Sequence, residues 1–163
     1  MFNSQTYGNL ELYQIPEKLL DYYNKTKNFN SQYNIIIGTD SQNFDQTKIV
    51  SVIVITCEGH GGIFFYEITM HKRIEDVRSK LYKETDLSLN LANNLLEMLD
   101  NKQYEELYLK CNFAIHVDAG HSDNGKTKQL IPELIGWIKA SGFDCSVKPD
   151  SFAASSVADK LSK

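Results

Sequence analysis

Two apolar runs, residues 33–40 (YNIIIGTD) and 48–57 (KIVSVIVITC), carry β-branched residues at consecutive rather than alternating positions. A strand of that composition is buried on both faces, so the sheet it joins must be covered on each side. The glycine-rich turn at 58–62 (EGHGG) leads into a third run, 63–70 (IFFYEITM), and the three together predict an antiparallel meander. The period then changes. From Ile74 to about Asp100, Val77, Leu81, Ser88, Leu91, Leu95 and Leu99 recur at three- and four-residue spacing, which is the stripe of one long amphipathic helix. A strand at 113–118 (FAIHVD), a helix at 127–140, a short strand at 143–148 and a helix from Asp150, its expected N-cap, complete the chain. Ahead of the core, Pro16 opens a short helix running to about Lys27. This order predicts an α/β fold with one mixed five-stranded sheet, three antiparallel strands followed by parallel strands added through helical crossovers.

A chain of 163 residues with 42% apolar composition is long enough for one hydrophobic core and short for two. The expected organisation is therefore a single domain over 1–163, with residues 1–32 as an N-terminal extension carrying the short helix. Cys57, Cys111 and Cys145 are odd in number and lack CxxC spacing, which fits a reducing compartment better than a disulfide framework. No leader pattern opens the chain, and no run approaches the roughly 20 apolar residues of a membrane span. A cytoplasmic protein without a membrane partner is expected. The net charge of −4 argues against a protein that coats nucleic acid. Locally the balance reverses, because residues 71–83 hold Lys72, Arg73, Arg78, Lys80 and Lys83 against Glu75 and Asp76.

The chemistry is expected from carboxylates. Asp40 and Asp118 end strands that would lie side by side, at the edge where open α/β sheets build their sites. Glu84 falls on the otherwise apolar helical stripe, where an unpaired carboxylate is costly. Asp159, in the last helix, can pack across the same sheet end. Four such groups repel one another unless cations lie among them, and hard oxygen ligands suit Mg²⁺ or Mn²⁺.

The element order is that of the ribonuclease H-like fold, and particular blocks carry a closer resemblance. They are IGTDSQ at 37–42, KET at 83–85, HVDAG at 116–120, NGKTKQLIPELIGWI at 124–138 and GFDCSVKPDSFAASSVADK at 142–160. On these the chain resembles the YkuK family of ribonuclease H-like proteins, from Gly8 to Lys163. The resemblance implies that Asp40, Glu84 and Asp118 take the three central metal-ligand positions and Asp159 the variable fourth. The expected activity is two-metal hydrolysis of nucleic-acid phosphodiesters, with Asp40 bridging both ions. Lys126, Lys128, Lys148 and Lys160 are candidates for contact with the substrate backbone. His121, just past Asp118, is a candidate for proton transfer or product release.

Three other motifs compete. Residues 120–127 match the phosphate-loop pattern GxxxxGK[ST] between a strand and a helix. Too little chain follows for the rest of a nucleotide triphosphatase, and Asp123 would face the phosphates. The histidines have no metal-binding spacing, and His116 reads as a core residue although it alternates in phase with Asp118. Ser41 and Ser122 lack the partners of a nucleophilic serine. A non-catalytic scaffold that binds nucleic acid or protein is the main rival, since a fold does not fix an activity.

Overall fold

Strand β3 (Tyr33–Asn43) runs through the centre of the sheet. It is antiparallel to β4 (Thr47–Cys57), which is antiparallel to β5 (Gly62–His71), as the meander requires. On its other side β3 is parallel to β6 (Cys111–Gly120), which is parallel to β7 (Asp144–Lys148). The computed structural model describes residues 1–120 and 125–163. His121 and the middle of the phosphate-loop match therefore lie outside the described residues.

Two further strands make the sheet seven-stranded rather than five-stranded. A hairpin of β1 (Phe2–Ser4) and β2 (Gly8–Leu10) adds to the β5 edge, giving the order β2-β1-β5-β4-β3-β6-β7. Strands of three residues are too short to show a period, which is why the residue pattern marks only five. Gly8, at φ +71°, supplies the left-handed backbone after the hairpin turn. Phe2, Leu10, Ile15, Leu19 and Tyr23 all join the main core, the last three from α1 (Ile15–Thr26).

Helices cover both faces, as the doubly buried strands demand. On one side lie α1, α2 (Val77–Leu99), α3 (Glu105–Lys110) and α4 (Gly125–Ala140), over the larger core. Helix α2 begins at Val77 rather than Ile74 because the Asp76 side chain accepts the Ser79 N–H at 2.9 Å and caps it. Its buried face is Leu81, Glu84, Thr85, Ser88, Leu89, Ala92, Leu95 and Leu99, while Val77 is exposed. Among the described residues no helix is long and apolar enough to cross a membrane.

The opposite face is covered by a π-helical turn, Ala153–Ala158, that continues into α5 (Asp159–Ser162). The helical segment starts after Ser151, whose carbonyl accepts from Ala154 and Ser155, so Asp150 is not the cap. Ala153 and Ala158 pack on Ile36, Val50, Val52 and Val54. Close seating depends on Gly38, where a Cβ would stand 2.7 Å from the Ala153 carbonyl carbon and the Ala154 nitrogen. Gly38→Ala is expected to cost about 1–3 kcal/mol, lowering the melting temperature by roughly 5 °C in a chain of this size. An unchanged melting temperature would mean that the segment does not rest on β3.

Candidate metal centre

Alternation along β3 decides which side chains meet. Ile35, Ile37, Thr39 and Ser41 face α2, where Thr39 Oγ1 lies 2.7 Å from Ser88 Oγ. Ile36, Gly38 and Asp40 face the C-terminal segment. The parallel register reaches Thr39↔Val117, so the next residues, Asp40 and Asp118, stand side by side on adjacent strands. Strand β3 continues to Asn43, past its expected end at Asp40, because Ser41, Gln42 and Asn43 still pair with Ile49, Lys48 and Thr47. Glu84 comes in from α2 and Asp159 from α5. All four carboxylates line one open cleft of about 290 Å³, together with Ser41, Gln42, Val77, Lys80, Leu81 and Thr127.

Three of the four carboxylates accept a hydrogen bond, and the fourth has an ion pair. Ser41 Oγ donates to Glu84 Oε1 at 2.5 Å, and Ser162 Oγ donates to Asp40 Oδ2 at 2.6 Å. Lys163 Nζ donates to Asp159 Oδ2 at 2.8 Å. Lys148 Nζ approaches Asp118 Oδ1 at 3.2 Å, but not along a hydrogen-bonding direction. That buried oxygen has charge compensation and no hydrogen bond among the described residues.

Burial sets the electrostatics. Glu84 is 7% exposed, and desolvation chiefly lifts its pKa to about 8, with Asp40 and Asp118 adding to the rise and the Ser41 hydroxyl opposing it. Asp40, equally buried, is raised to about 6, first by desolvation and then by Asp118 and Asp159, against the Ser162 hydrogen bond. A site that holds its carboxylates this unfavourably is one that a cation would relieve. The donor set fits a hard divalent ion, since it is all oxygen and includes the unbonded Asp118 Oδ1. Among the described residues, no three His, Cys, Asp or Glu side chains stand close enough to grip one ion as they are now turned. Their orientations follow the serine and lysine donors instead.

The lysines divide. Lys148 reaches the cleft through Asp118, whereas Lys126 lines a neighbouring cleft with Asp76, Arg78, Gln129, Leu130 and Glu133. Lys128 and Lys160 are exposed and do not line the carboxylate cleft. His116 is a core residue, as expected: its Nδ1 accepts the Ala153 N–H at 3.2 Å, and burial lowers its pKa to about 4. Of the phosphate-loop glycines, Gly120 has a packing role, because a Cβ there would meet the Lys148 Cβ at 2.7 Å. Sequence reasoning missed Ser162 and Lys163, and it considered Ser41 only as a nucleophile. Only its place beside Asp40 could have flagged Ser41, and nothing local marks Ser162.

The chain is 29% identical over 174 residues to the uncharacterised protein YkuK of Bacillus subtilis (strain 168), an alignment covering 100% of this chain and 97% of that protein. Among solved structures, the Mos1 transposase catalytic domain with raltegravir and Mn is similar at 13% identity and a TM-score of 0.28, over 82% of this chain and 57% of that one. The same domain with Mg gives 14% identity, a TM-score of 0.28 and 58% coverage of its length. The chain thus spans less than two thirds of each, and scores that low assign no activity. The ribonuclease H-like family model, by contrast, matches residues 14–163, nearly the whole of the sheet and all of the carboxylate cleft, and the chain belongs to that family.

Proposed function

We propose that the protein is a divalent-metal-dependent nuclease that hydrolyses phosphodiester bonds of RNA or DNA, with Asp40, Glu84, Asp118 and Asp159 as its catalytic metal ligands. The observation that carries this reading is the convergence of four carboxylates, from β3, α2, β6 and α5, on one cleft at the ends of parallel strands. Membership of the ribonuclease H-like family supports it. Two Mg²⁺ or Mn²⁺ ions, when bound, would supply an activated water and stabilise the leaving oxygen.

The chain's own groups have separate tasks. Asp40 lies between Asp118 on the adjacent strand and Asp159 on α5, so it is the carboxylate best placed to be shared. Lys80 and Thr127 stand in the cleft wall, where an ammonium and a hydroxyl can meet substrate phosphate. Lys148 and Lys163 balance Asp118 and Asp159, and can turn to the nucleic-acid backbone when cations replace them. Because no three carboxylates among the described residues yet share one point, a non-catalytic module that binds nucleic acid or protein is the second reading. A triphosphatase is disfavoured because the cleft of Lys126 also holds Asp76 and Glu133, which would repel phosphates.

The test is a cleavage screen over single-stranded, duplex, hybrid and junction substrates. Cleavage of at least one class in Mn²⁺ or Mg²⁺, and of none in EDTA, is expected. Binding without cleavage in any condition would favour the module.

A further inference from the structure

Ser162 is fully buried at 0% exposure, in the last turn of a short terminal helix where an alanine would serve the helix as well. A buried hydroxyl persists when it has partners, and this one has two. Its Oγ lies 2.6 Å from Asp40 Oδ2 and 3.0 Å from the Asp159 carbonyl. A serine has one proton to give, and the nearer, charged acceptor takes it. The Asp159 carbonyl, three residues back in the same helix, is the alternative acceptor, so the bond to Asp40 is made in its place. The neighbouring residue is tied down separately, by Lys48 Nζ donating to the Leu161 carbonyl at 2.6 Å. Consecutive residues of α5 thus carry two polar anchors, one onto the flank of β4 and one onto the central carboxylate of the cleft.

We propose that Ser162 is a positioning residue that orients Asp40 for the divalent ion. By engaging Oδ2, it fixes the rotation of the carboxylate and leaves Oδ1 as the oxygen for the ion. The inference rests on the metal-site reading above and adds to it a partner 122 residues away in sequence. Hydrogen-bonded partners of ligating carboxylates typically govern metal affinity by 10–100-fold.

The test compares Mn²⁺ affinity, by calorimetric titration of the full chain, in the parent, Ser162→Ala and Lys48→Met, with metal-free melting temperature measured alongside. Ser162→Ala is expected to bind Mn²⁺ about tenfold more weakly while melting close to the parent. Lys48→Met removes the other anchor, so it should melt lower yet keep near-parental affinity. Parental affinity in Ser162→Ala would overturn the role, as would an equal loss in Lys48→Met, which would make both residues mere helix anchors. A parent that takes up no Mn²⁺ would overturn the metal reading and this role with it.

Discussion

Asp40→Asn is expected to abolish metal-dependent cleavage while leaving the metal-free protein at least as stable as the parent. The two outcomes have one cause. Asp40 is buried beside Asp118 and Asp159, and its pKa is raised to about 6, so holding it ionised near pH 8 destabilises the fold. Asparagine keeps the size and can still accept the Ser162 hydroxyl proton, but it carries no charge. The relief is on the order of 2 kcal/mol, or roughly 4–8 °C. In the proposed mechanism cleavage would need the charge that stability does not. Near-parental cleavage by the variant would remove Asp40 from the catalytic set, and a marked drop in its melting temperature in EDTA would make it a structural residue.

Metal-free stability is expected to fall as pH rises from about 6.5 to 9, the reverse of the behaviour of a salt-bridged carboxylate and above the range in which the buried His116, with its pKa lowered to about 4, acts in the opposite direction. A group whose pKa is higher folded than unfolded binds its proton more tightly in the folded state. Its contribution is complete below the unfolded value and is lost as pH climbs through the folded one. For Asp40 that window runs from about 4 to 6, and for Glu84 from about 4.5 to 8. Glu84 therefore dominates above pH 6, with a loss on the order of 3 kcal/mol. Glu84→Gln should flatten the profile between pH 6 and 9 and melt above the parent at pH 9. Melting curves in EDTA across that range check it; a parent profile that rises with pH would contradict the burial argument.

The core strands were legible because consecutive β-branched residues leave few alternatives, and β3 and β4 lie where those runs lie. Glu84 was legible for a related reason, as a charge at a position where the helical period calls for an apolar side chain. Asp40 and Asp118 could be paired from strand order alone, since parallel neighbours align their ends. The hydroxyls that hold these carboxylates were not legible. Ser41 and Ser162 are common residues, and their partners lie 43 and 122 residues away. The π-helical turn has no residue pattern of its own and depends on the backbone contact that Gly38 permits. Sequence position alone did not say which cleft Lys126 lines, because that depends on how α4 packs on α2; it opens beside Asp76 and Arg78.

The central claim is that this cleft is a divalent-metal site built from carboxylates that repel one another without metal. The most direct measurement is the melting temperature at pH 8, in EDTA and in excess Mn²⁺, for the parent and Asp40→Asn. An ion that binds only the folded state stabilises it by mass action, by about 2.7 kcal/mol at a hundred times its dissociation constant. The parent should therefore melt roughly 5–10 °C higher in Mn²⁺, and the variant should gain much less. A parent that melts at the same temperature in both, or a variant that gains as much as the parent, would contradict the account.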